Sequence, residues 1–545
     1  MSSYDVILVL PYPFSDHPSF PEGILKKALE IEGFRVGSIE TPFWQKSQSF
    51  SLLGRPRLFF GIISGPVDSI VLNYTSSRKR RKDDLYQVSG QAYFEGTPPS
   101  VSHKIRPDRT AVVFANRIRE VFKDVPIIIG GLEASLRLFS HYDFQQDKIR
   151  RSILVDSKAD VAVIGMGEKQ LVSIAHFLKK GTPVQKLTIP GIARMYSQFP
   201  AEKGFVELPS FESVQSDRSA LIGMQLTLER AISEGKGVAQ KHGDRYVVAH
   251  RPEEYHPSDI DRIYGQAYTR NHLRNSRLSP ALQMNLFSVT SHRGCCGGCS
   301  FCSIAPHQGR KIVSRSRESI VNEVVRLTRH PLWRGYISDI GGASAEMYGV
   351  TCQRHSCKKP SCLYPVSCKF FSPAKSYIEL LRTCRRVDGV KKIFLGSGLR
   401  HDVLVRHPDV LEEIMLHHAG KSLRIAPEHT EDAVLQLMRK PPFTILEEFV
   451  NMFRSINKKL KRRIELASYI IVGHPGESIR DVLEMKKKLR ALGLRHTDVQ
   501  IFTPSPGTLS TAMYYTGIDV SMRPIQTEKK IKELCYRKDM VSFEF

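Results

Sequence analysis

Through the first 200 residues, short apolar runs alternate with amphipathic stretches. DVILVLP (5–11), FRVGSIE (34–40), RLFFGIIS (57–64), TAVVFAN (110–116), VPIIIGG (125–131) and DVAVIGMG (160–167) have the length and β-branched content of buried strands. Between them, PEGILKKALEIEGF carries apolar residues at helical spacing, with Pro21 in its first turn and Gly33 near its end. EKQLVSIAHFLKKG, closed by Gly181, repeats the pattern. This alternation predicts a doubly wound, Rossmann-like α/β domain over residues 1–200. Residues 201–283 are more polar and irregular, and read as a connecting subdomain. From residue 284 the alternation resumes, with strands expected at MNLFSVT, GYISDIGG, KKIFLGSG, KSLRIAPE, ELASYIIVG and DVQIFTP. Helices fit SRESIVNEVVRLTRH, KSYIELLRTCRRV and GESIRDVLEMKKKLRALG between them. Six strands with intervening helices predict a partial (β/α)6 barrel over 284–517, whose ligands would sit on the loops after the strands. A Cys-rich insertion occupies 343–370, and a short polar tail spans 518–545.

Composition adds a compartment. No apolar stretch approaches the roughly 20 residues that span a bilayer, and the N-terminus lacks the basic region and cleavage site of a secretory leader. A cytoplasmic location with no membrane partner is the expectation. The 80 Lys and Arg against 55 Asp and Glu leave a net charge of +25, which admits RNA as a partner. The basic residues are scattered, however, and their one tight run is Arg78-Lys79-Arg80-Arg81-Lys82, which equally suits a solvated loop.

Cysteine usage locates the chemistry. All ten cysteines lie at or beyond position 295, and clustered thiols in a reducing compartment suit metal or redox work better than disulfides. In SHRGCCGGCSFCSIAPHQGR, Cys295, Cys299 and Cys302 are spaced C-x3-C-x2-C directly after the first expected barrel strand. Chance gives that spacing in roughly three such chains per thousand. Three thiolates on one loop can ligate three irons of a [4Fe-4S] cubane and leave the fourth open to a substrate. Gly294, Gly297 and Gly298 suit a loop that must bend tightly around such a cluster.

Together with Phe301 before the last cysteine, this motif resembles that of the radical SAM superfamily. HPSF (17–20), IIGGLEASLR (128–137), HRGC (292–295), GGCSFC (297–302), APEHT (426–430) and TAMYYTG (511–517) further resemble the YgiQ-type radical SAM family almost end to end. The resemblance implies a cluster at Cys295, Cys299 and Cys302 that reduces S-adenosylmethionine. Homolysis of its carbon–sulfur bond then gives a 5′-deoxyadenosyl radical that abstracts hydrogen from an unknown substrate. It also implies an external one-electron reductant of flavodoxin or ferredoxin type. Family members commonly carry a further C-terminal extension, whereas this chain stops soon after TAMYYTG.

The resemblance also suggests where S-adenosylmethionine binds. Gly341 and Gly342 follow the second strand, as in the superfamily's ammonium-binding motif, although its third residue, often Glu, is Ala343 here. Ser397 and Arg400 after the third strand, and Glu428 with His429 after the fourth, are candidates for ribose, carboxylate or substrate contacts. Gly473 and Gly476 after the fifth resemble an adenine-side motif, and FTPSPGT after the sixth resembles its closing loop. Each glycine equally suits a tight strand-to-helix turn.

Cys352, Cys357, Cys362 and Cys368 form a second group with spacings of four, four and five residues, wider than most zinc pairs. They are candidates for zinc, for an auxiliary iron–sulfur cluster, or for unligated thiols in a loop folded over the site. Cys296 and Cys384 fit neither group.

The N-terminal domain resembles the cobalamin-binding-type Rossmann domain that precedes many radical SAM barrels. Its usual D-x-H-x-x-G motif is missing, since Asp16 is followed directly by His17, Pro18 and Ser19. Cobalamin held without a histidine, or a domain that keeps only the fold, both stay open. Two alternatives accompany the radical enzyme. One is an RNA-modifying radical SAM enzyme, although methylthiotransferases carry three N-terminal cysteines that this chain lacks. The other is a non-catalytic iron–sulfur protein that binds nucleic acid or senses redox state.

Overall fold

The computed structural model describes residues 4–96, 104–352, 357, 359–369, 371, 375–494 and 496–542. It divides into two compact units, Met1–Glu254 with Gln266–Leu286, and Tyr255–Gly265 with Phe287–Phe545.

The first unit is built on a nine-stranded sheet. Strands β1 (Val6–Leu10), β2 (Val36–Glu40), β3 (Phe59–Ile63), β4 (Ile127–Gly130) and β5 (Val161–Val163) run parallel in the order β2-β1-β3-β4-β5. β1 and β3 are buried along their whole length, which explains their uninterrupted apolar sequence. Helices Pro21–Ile31 and Glu168–Lys179 contribute Leu25, Leu29, Leu171 and Ile174 to a core shared with these strands.

TAVVFAN is helical, not extended. It opens the helix Thr110–Val121, which buries Thr110, Ala111, Phe114, Ala115 and Ile118 on one face. β-Branched content suggested a strand, but the spacing over the longer window is that of a helix.

The sheet continues past residue 200. β6 (Ile192–Tyr196) is antiparallel to β5, and β7 (Phe205–Leu208), β8 (Gly237–His242) and β9 (Arg245–Ala249) complete the order β5-β6-β9-β8-β7. Residues 201–254 therefore extend the first sheet, while the helix Pro257–Tyr264 belongs to the second unit. Of the basic run, Arg81 donates to the Tyr74 carbonyl at 3.2 Å and Arg78 lies over the Phe144 ring, whereas Lys79 and Arg80 are exposed.

Six parallel strand positions follow one another in chain order in the second unit. β10 (Ser288–Thr290) pairs with β12 (Asp339–Gly341), and β11 (Tyr336–Ile337), one residue before β12, pairs with β13 (Lys392–Ile393). Leu399 bridges Ile425 in β14 (Ser422–Glu428), and β14, β15 (Glu465–Val472) and β16 (His496–Ile501) form the remaining ladder. Among the described residues no pairing joins β16 to β10, so the (β/α)6 barrel is partial. Its helices begin at well-marked caps. Ser316 accepts from the Ser319 amide at the head of Arg317–Thr328, and Ser478 with Asp481 forms a capping box on Ile479–Ala491.

The tail is not featureless. Helix Ile531–Ser542 packs Leu534 and Val541 into the barrel core. Among the described residues no helix is long and apolar enough to cross a membrane.

Candidate functional site at the carboxyl ends of the barrel strands

The loop after β10 begins as a short strand, His292–Arg293, paired with Val313–Ser314, and then wraps back on itself. Its foot is closed by the Gly294 amide on Gln308 Oε1 at 3.2 Å and the Cys295 amide on the Gly309 carbonyl at 3.1 Å. Its far side is held by Ser300, which donates its amide to the Met438 carbonyl and its hydroxyl to the Leu437 carbonyl. The same hydroxyl meets Ser510 Oγ at 2.8 Å, and His474 Nε2 lies 2.7 Å from that Ser510 oxygen. Elements 137 to 210 residues away in sequence thus fix the backbone between Cys299 and Cys302.

The two glycines between the cysteines have different jobs. A side chain on Gly297 would sit 2.7 Å from Arg400 Nη1, so this position leaves room for the guanidinium. Gly298 has φ +63°, and a Cβ there would lie 2.1 Å from the Pro360 carbonyl oxygen. Ser361 Oγ closes the same contact by donating to the Gly297 carbonyl at 2.6 Å.

Cys295, Cys299 and Cys302 share one environment. Burial, then Cys299, raises the Cys295 thiol, and the same causes push Cys302 up to about 12. Such thiols ionise when a cation arrives. Among the described residues no three His, Cys, Asp or Glu side chains gather closely enough for one metal ion. A cubane binds each thiolate at a separate corner and needs no such convergence on a single point.

Arg400 is the charged neighbour of this loop. Its Nη1 donates to Cys299 Sγ at 3.4 Å, while Nε and Nη2 grip both oxygens of Asp402 at 3.0 and 2.7 Å. Against the upward push of burial, Arg400 holds Asp402 well below the usual carboxylate range. Arg400 was legible in the sequence; Asp402, which orients it, was not singled out.

The other expected site residues fall into two kinds. Glu428 ends β14 with φ +72°, a strained conformation for a residue with a side chain, and burial raises its carboxyl. It is near enough to Cys302 to raise that thiol. Ser397 Oγ donates to Asp339 at 2.5 Å, so its hydroxyl fixes the third loop to the second strand. A Cβ on Gly341 would lie 2.4 Å from Ser397 Oγ, and one on Gly342 2.6 Å from His292 Nε2. His292, fully buried and lowered to about 4 by burial, is held neutral at the entrance to the cysteine loop.

Gly473 and Gly476 admit neighbouring leucines, with a Cβ falling 2.3 Å from Leu534 and from Leu437 respectively. His429 is tied down by Glu477, its Nε2 lying 3.3 Å from Oε2. Glu477 also accepts from the Gly473 amide at 2.8 Å and from Arg537 at 2.9 Å. All three side chains are almost wholly buried.

Among the described residues the side chains of the second cysteine group do not gather closely enough for one metal ion, although the Cys368 amide donates to the Cys362 carbonyl at 2.7 Å. Cys352 is exposed, and residues 353–356, 358 and 370 of this insertion lie outside the described residues. Cys362 is instead beside Cys296. Its amide donates to the Cys296 carbonyl at 3.0 Å, and contact between the two thiols raises Cys296 and lowers Cys362. Cys357 and Cys368 are half-buried, and Cys384 is a buried core residue.

In the first unit His17 is fully engaged. Its Nδ1 accepts from the Ser19 amide at 3.0 Å, and its Nε2 lies 2.8 Å from Arg270 Nη1 and 3.4 Å from the Leu286 carbonyl. Asp16 accepts from the Thr269 amide and hydroxyl. As a cobalt ligand His17 does not fit, because neither ring nitrogen is available.

Residues 1–288 match the family described as radical SAM N-terminal, and residues 289–489 match the radical SAM superfamily. With a cysteine loop of this kind on a partial barrel, the chain is a radical SAM enzyme. It belongs more narrowly to the family of UPF0313 proteins. The UPF0313 protein of Geobacter sulfurreducens is 40% identical over 94% of this chain and 85% of its own length. A relative from Methanosarcina acetivorans is 39% identical over 99% of this chain and 76% of its own length. Among solved structures, the radical S-adenosylmethionine methyltransferase TsrM of Kitasatospora setae, with tryptophan substrate and a SAM analogue bound, has a TM-score of 0.52. The alignment covers 93% of this chain and 74% of TsrM at 17% identity, a likeness of fold. TsrM has also been seen with cobalamin and a [4Fe-4S] cluster bound.

Proposed function

We propose that Cys295, Cys299 and Cys302 hold a [4Fe-4S] cluster with one iron left open for S-adenosylmethionine, and that the chain cleaves this cofactor to abstract hydrogen from a substrate. The observation that carries this reading is the cysteine loop itself. Three half-buried thiols stand on a backbone fixed by Ser300, Ser361 and Gly309, with a guanidinium donating to the middle one.

When bound, the cluster supplies one electron to the sulfonium of S-adenosylmethionine, whose carbon–sulfur bond breaks to methionine and a 5′-deoxyadenosyl radical. The chain's residues do the rest. Pro360 and Ser361 pack against the loop at Gly298 and Gly297, where they would limit water around a bound cluster. Arg400 and Asp402, as a buried pair, place a fixed positive charge beside Cys299. Glu428, at the end of β14, is on the same face beside Cys302. The electron must come from an external one-electron donor. The +25 charge, spread along the chain, selects no substrate class by itself.

The direct test is to load the chain anaerobically with iron and sulfide, reduce it, add S-adenosylmethionine and measure 5′-deoxyadenosine by chromatography. Formation dependent on both reductant and chain is expected; its absence from a protein carrying a full cluster contradicts the proposal.

Two variants test the loop. Gly298→Ala should drive the backbone off Pro360 and lower bound iron severalfold after loading, because both the φ and the missing space forbid a side chain. Unchanged iron and an unchanged unfolding temperature would count against the loop geometry. Arg400→Gln together with Asp402→Asn removes the guanidinium along with its buried counter-charge. Loss of a donor to the cluster ligand is expected to shift the cluster midpoint potential negative by tens of millivolts, read by EPR-monitored titration. A potential equal to that of the unmodified chain would show that Arg400 does not tune the cluster.

A further inference from the structure

The first unit holds a cavity that neither the barrel nor the cysteine loop accounts for. It measures about 810 Å³ and lies where Arg194 and Met195 of β6 meet the Gly243–Asp244 turn between β8 and β9. That volume falls within the range of small-molecule sites and exceeds what an inorganic ion fills. Ala159 and Asp160, which also line it, immediately precede β5. The cavity is therefore at the amino end of that strand, opposite to the carboxyl ends at which doubly wound sheets receive their ligands. All of its lining residues belong to the first unit.

Its wall carries a buried charge without a counter-charge. Arg194 is only 9% exposed. Its Nε donates to the Leu187 carbonyl at 2.7 Å and its Nη2 to the Tyr196 hydroxyl at 2.7 Å, with the guanidinium over the Tyr196 ring. The Tyr196 hydroxyl is in turn 2.9 Å from Nε2 of His250, a ring that burial keeps neutral by lowering it to about 4. None of these partners is an anion, and Nη1 makes no hydrogen bond among the described residues. The carboxylates of the lining are held elsewhere or exposed. Asp160 accepts from Arg119 at 2.9 Å and from the Ile127 amide at 2.8 Å, Glu212 accepts from the Gly243 amide at 2.9 Å, and Asp244 is exposed. Arg151 is paired with Asp156, but Lys158 and Arg245, both exposed, have no carboxylate partner among the described residues. A buried guanidinium in this state is unfavourable, and an anion beside it offsets the loss of water.

Leu154, Val184, Met195 and Phe211 give the lining an apolar side. We propose that the cavity binds a small organic anion, its carboxylate or phosphate group on Arg194 and its apolar body against these four side chains. Lys158 and Arg245 add a positive field that draws the anion in.

Equilibrium dialysis of the full, cluster-loaded chain against naphthoate, naphthyl phosphate and uncharged naphthol tests this. The three share an apolar body, so differences between them report the charge. The unmodified chain should bind at least one of the anions on the order of 10- to 100-fold more tightly than naphthol, the worth of a charge-assisted hydrogen bond. The tighter of the two identifies the head group as carboxylate or phosphate. Arg194→Met, which keeps the length and removes the charge, should bring that anion down to the affinity of naphthol and leave naphthol itself unchanged. Lys158→Gln with Arg245→Gln, two exposed changes that put little of the fold at risk, should weaken the anion severalfold at low salt without moving naphthol. An unmodified chain that prefers neither anion, or a preference that survives Arg194→Met, overturns the assignment. So does an equal loss of all three ligands in a folded Arg194→Met, which would mean that Arg194 only shapes the cavity. If Arg194→Met does not fold, an anion affinity unmoved by the double variant overturns it.

Discussion

Cys299→Ala is expected to remove most of the cluster iron and to abolish 5′-deoxyadenosine formation to the level of a control without protein. The middle cysteine is the most exacting of the three positions. Its sulfur receives Arg400 Nη1 at 3.4 Å, and its carbonyl receives the Cys302 amide at 3.2 Å. On the proposed cluster site, removing the thiolate would deprive one iron of its only protein ligand and leave the guanidinium facing a space without an acceptor. Iron and sulfide analysis of the loaded variant, alongside product assay, checks this. A variant that turns over normally would refute the site, and the same test applied to Cys295 and Cys302 should give the same result. Replacing Cys384, a buried core residue, should leave iron content unchanged.

A second large effect is expected far from the cysteine loop. Arg537→Ala should destabilise the chain by about 3–5 kcal/mol, the usual consequence of stripping one member from a buried ion pair. Arg537 Nη1 reaches Glu477 Oε1 at 2.9 Å and the Glu477 carbonyl at 3.1 Å, with both side chains at most 4% exposed. Without the guanidinium, Glu477 keeps, among the described residues, His429 and the Gly473 amide against the cost of a buried charge. Denaturant unfolding of the variant measures the loss. A change below about 1 kcal/mol, the range of a surface pair, would show that the C-terminal helix contributes little to the barrel. The companion variant Glu477→Gln, which keeps the shape and removes the charge, is expected to cost less than Arg537→Ala.

How much of this was legible beforehand depended on whether the signal was local. The parallel strands β1, β3, β4 and β5 and the strand positions of the barrel stood out, because strands buried on both faces read as uninterrupted apolar runs. TAVVFAN carried the same composition and proved helical, since its burial repeats every three to four residues over a longer stretch than the run itself. Strands β7 to β9 were hidden among polar residues. β7 exposes much of its length at the sheet edge, and nothing local announces that Gly237 will pair with Phe205.

The site divides along the same line. The C-x3-C-x2-C spacing and Arg400 lie on the sequence surface, whereas Glu477 acquires its importance from His429 and Arg537, 48 and 60 residues away, and Asp402 from orienting the Arg400 guanidinium, which reaches Cys299 across 101 residues of chain. Gly473 and Gly476 drew attention as site glycines; the contacts that require them are with Leu534 and Leu437, which no local motif reveals. Asp16 and His17 stand adjacent where the D-x-H-x-x-G motif is missing, and in three dimensions they tie the N-terminal strand loop to Thr269 and Arg270. The left-handed backbone of Glu428 left no trace in the sequence, because a glycine or asparagine would be the usual occupant of such a position.

The measurement that tests the central claim most directly is the EPR spectrum of the reduced, cluster-loaded chain before and after addition of S-adenosylmethionine. A cluster held by three cysteines has an open iron, so its g-values should shift when the cofactor is added, and the shift should vanish in Cys299→Ala along with the signal. A full-intensity [4Fe-4S] spectrum that does not respond to S-adenosylmethionine would mean that the fourth iron is closed by the protein, and would contradict the account.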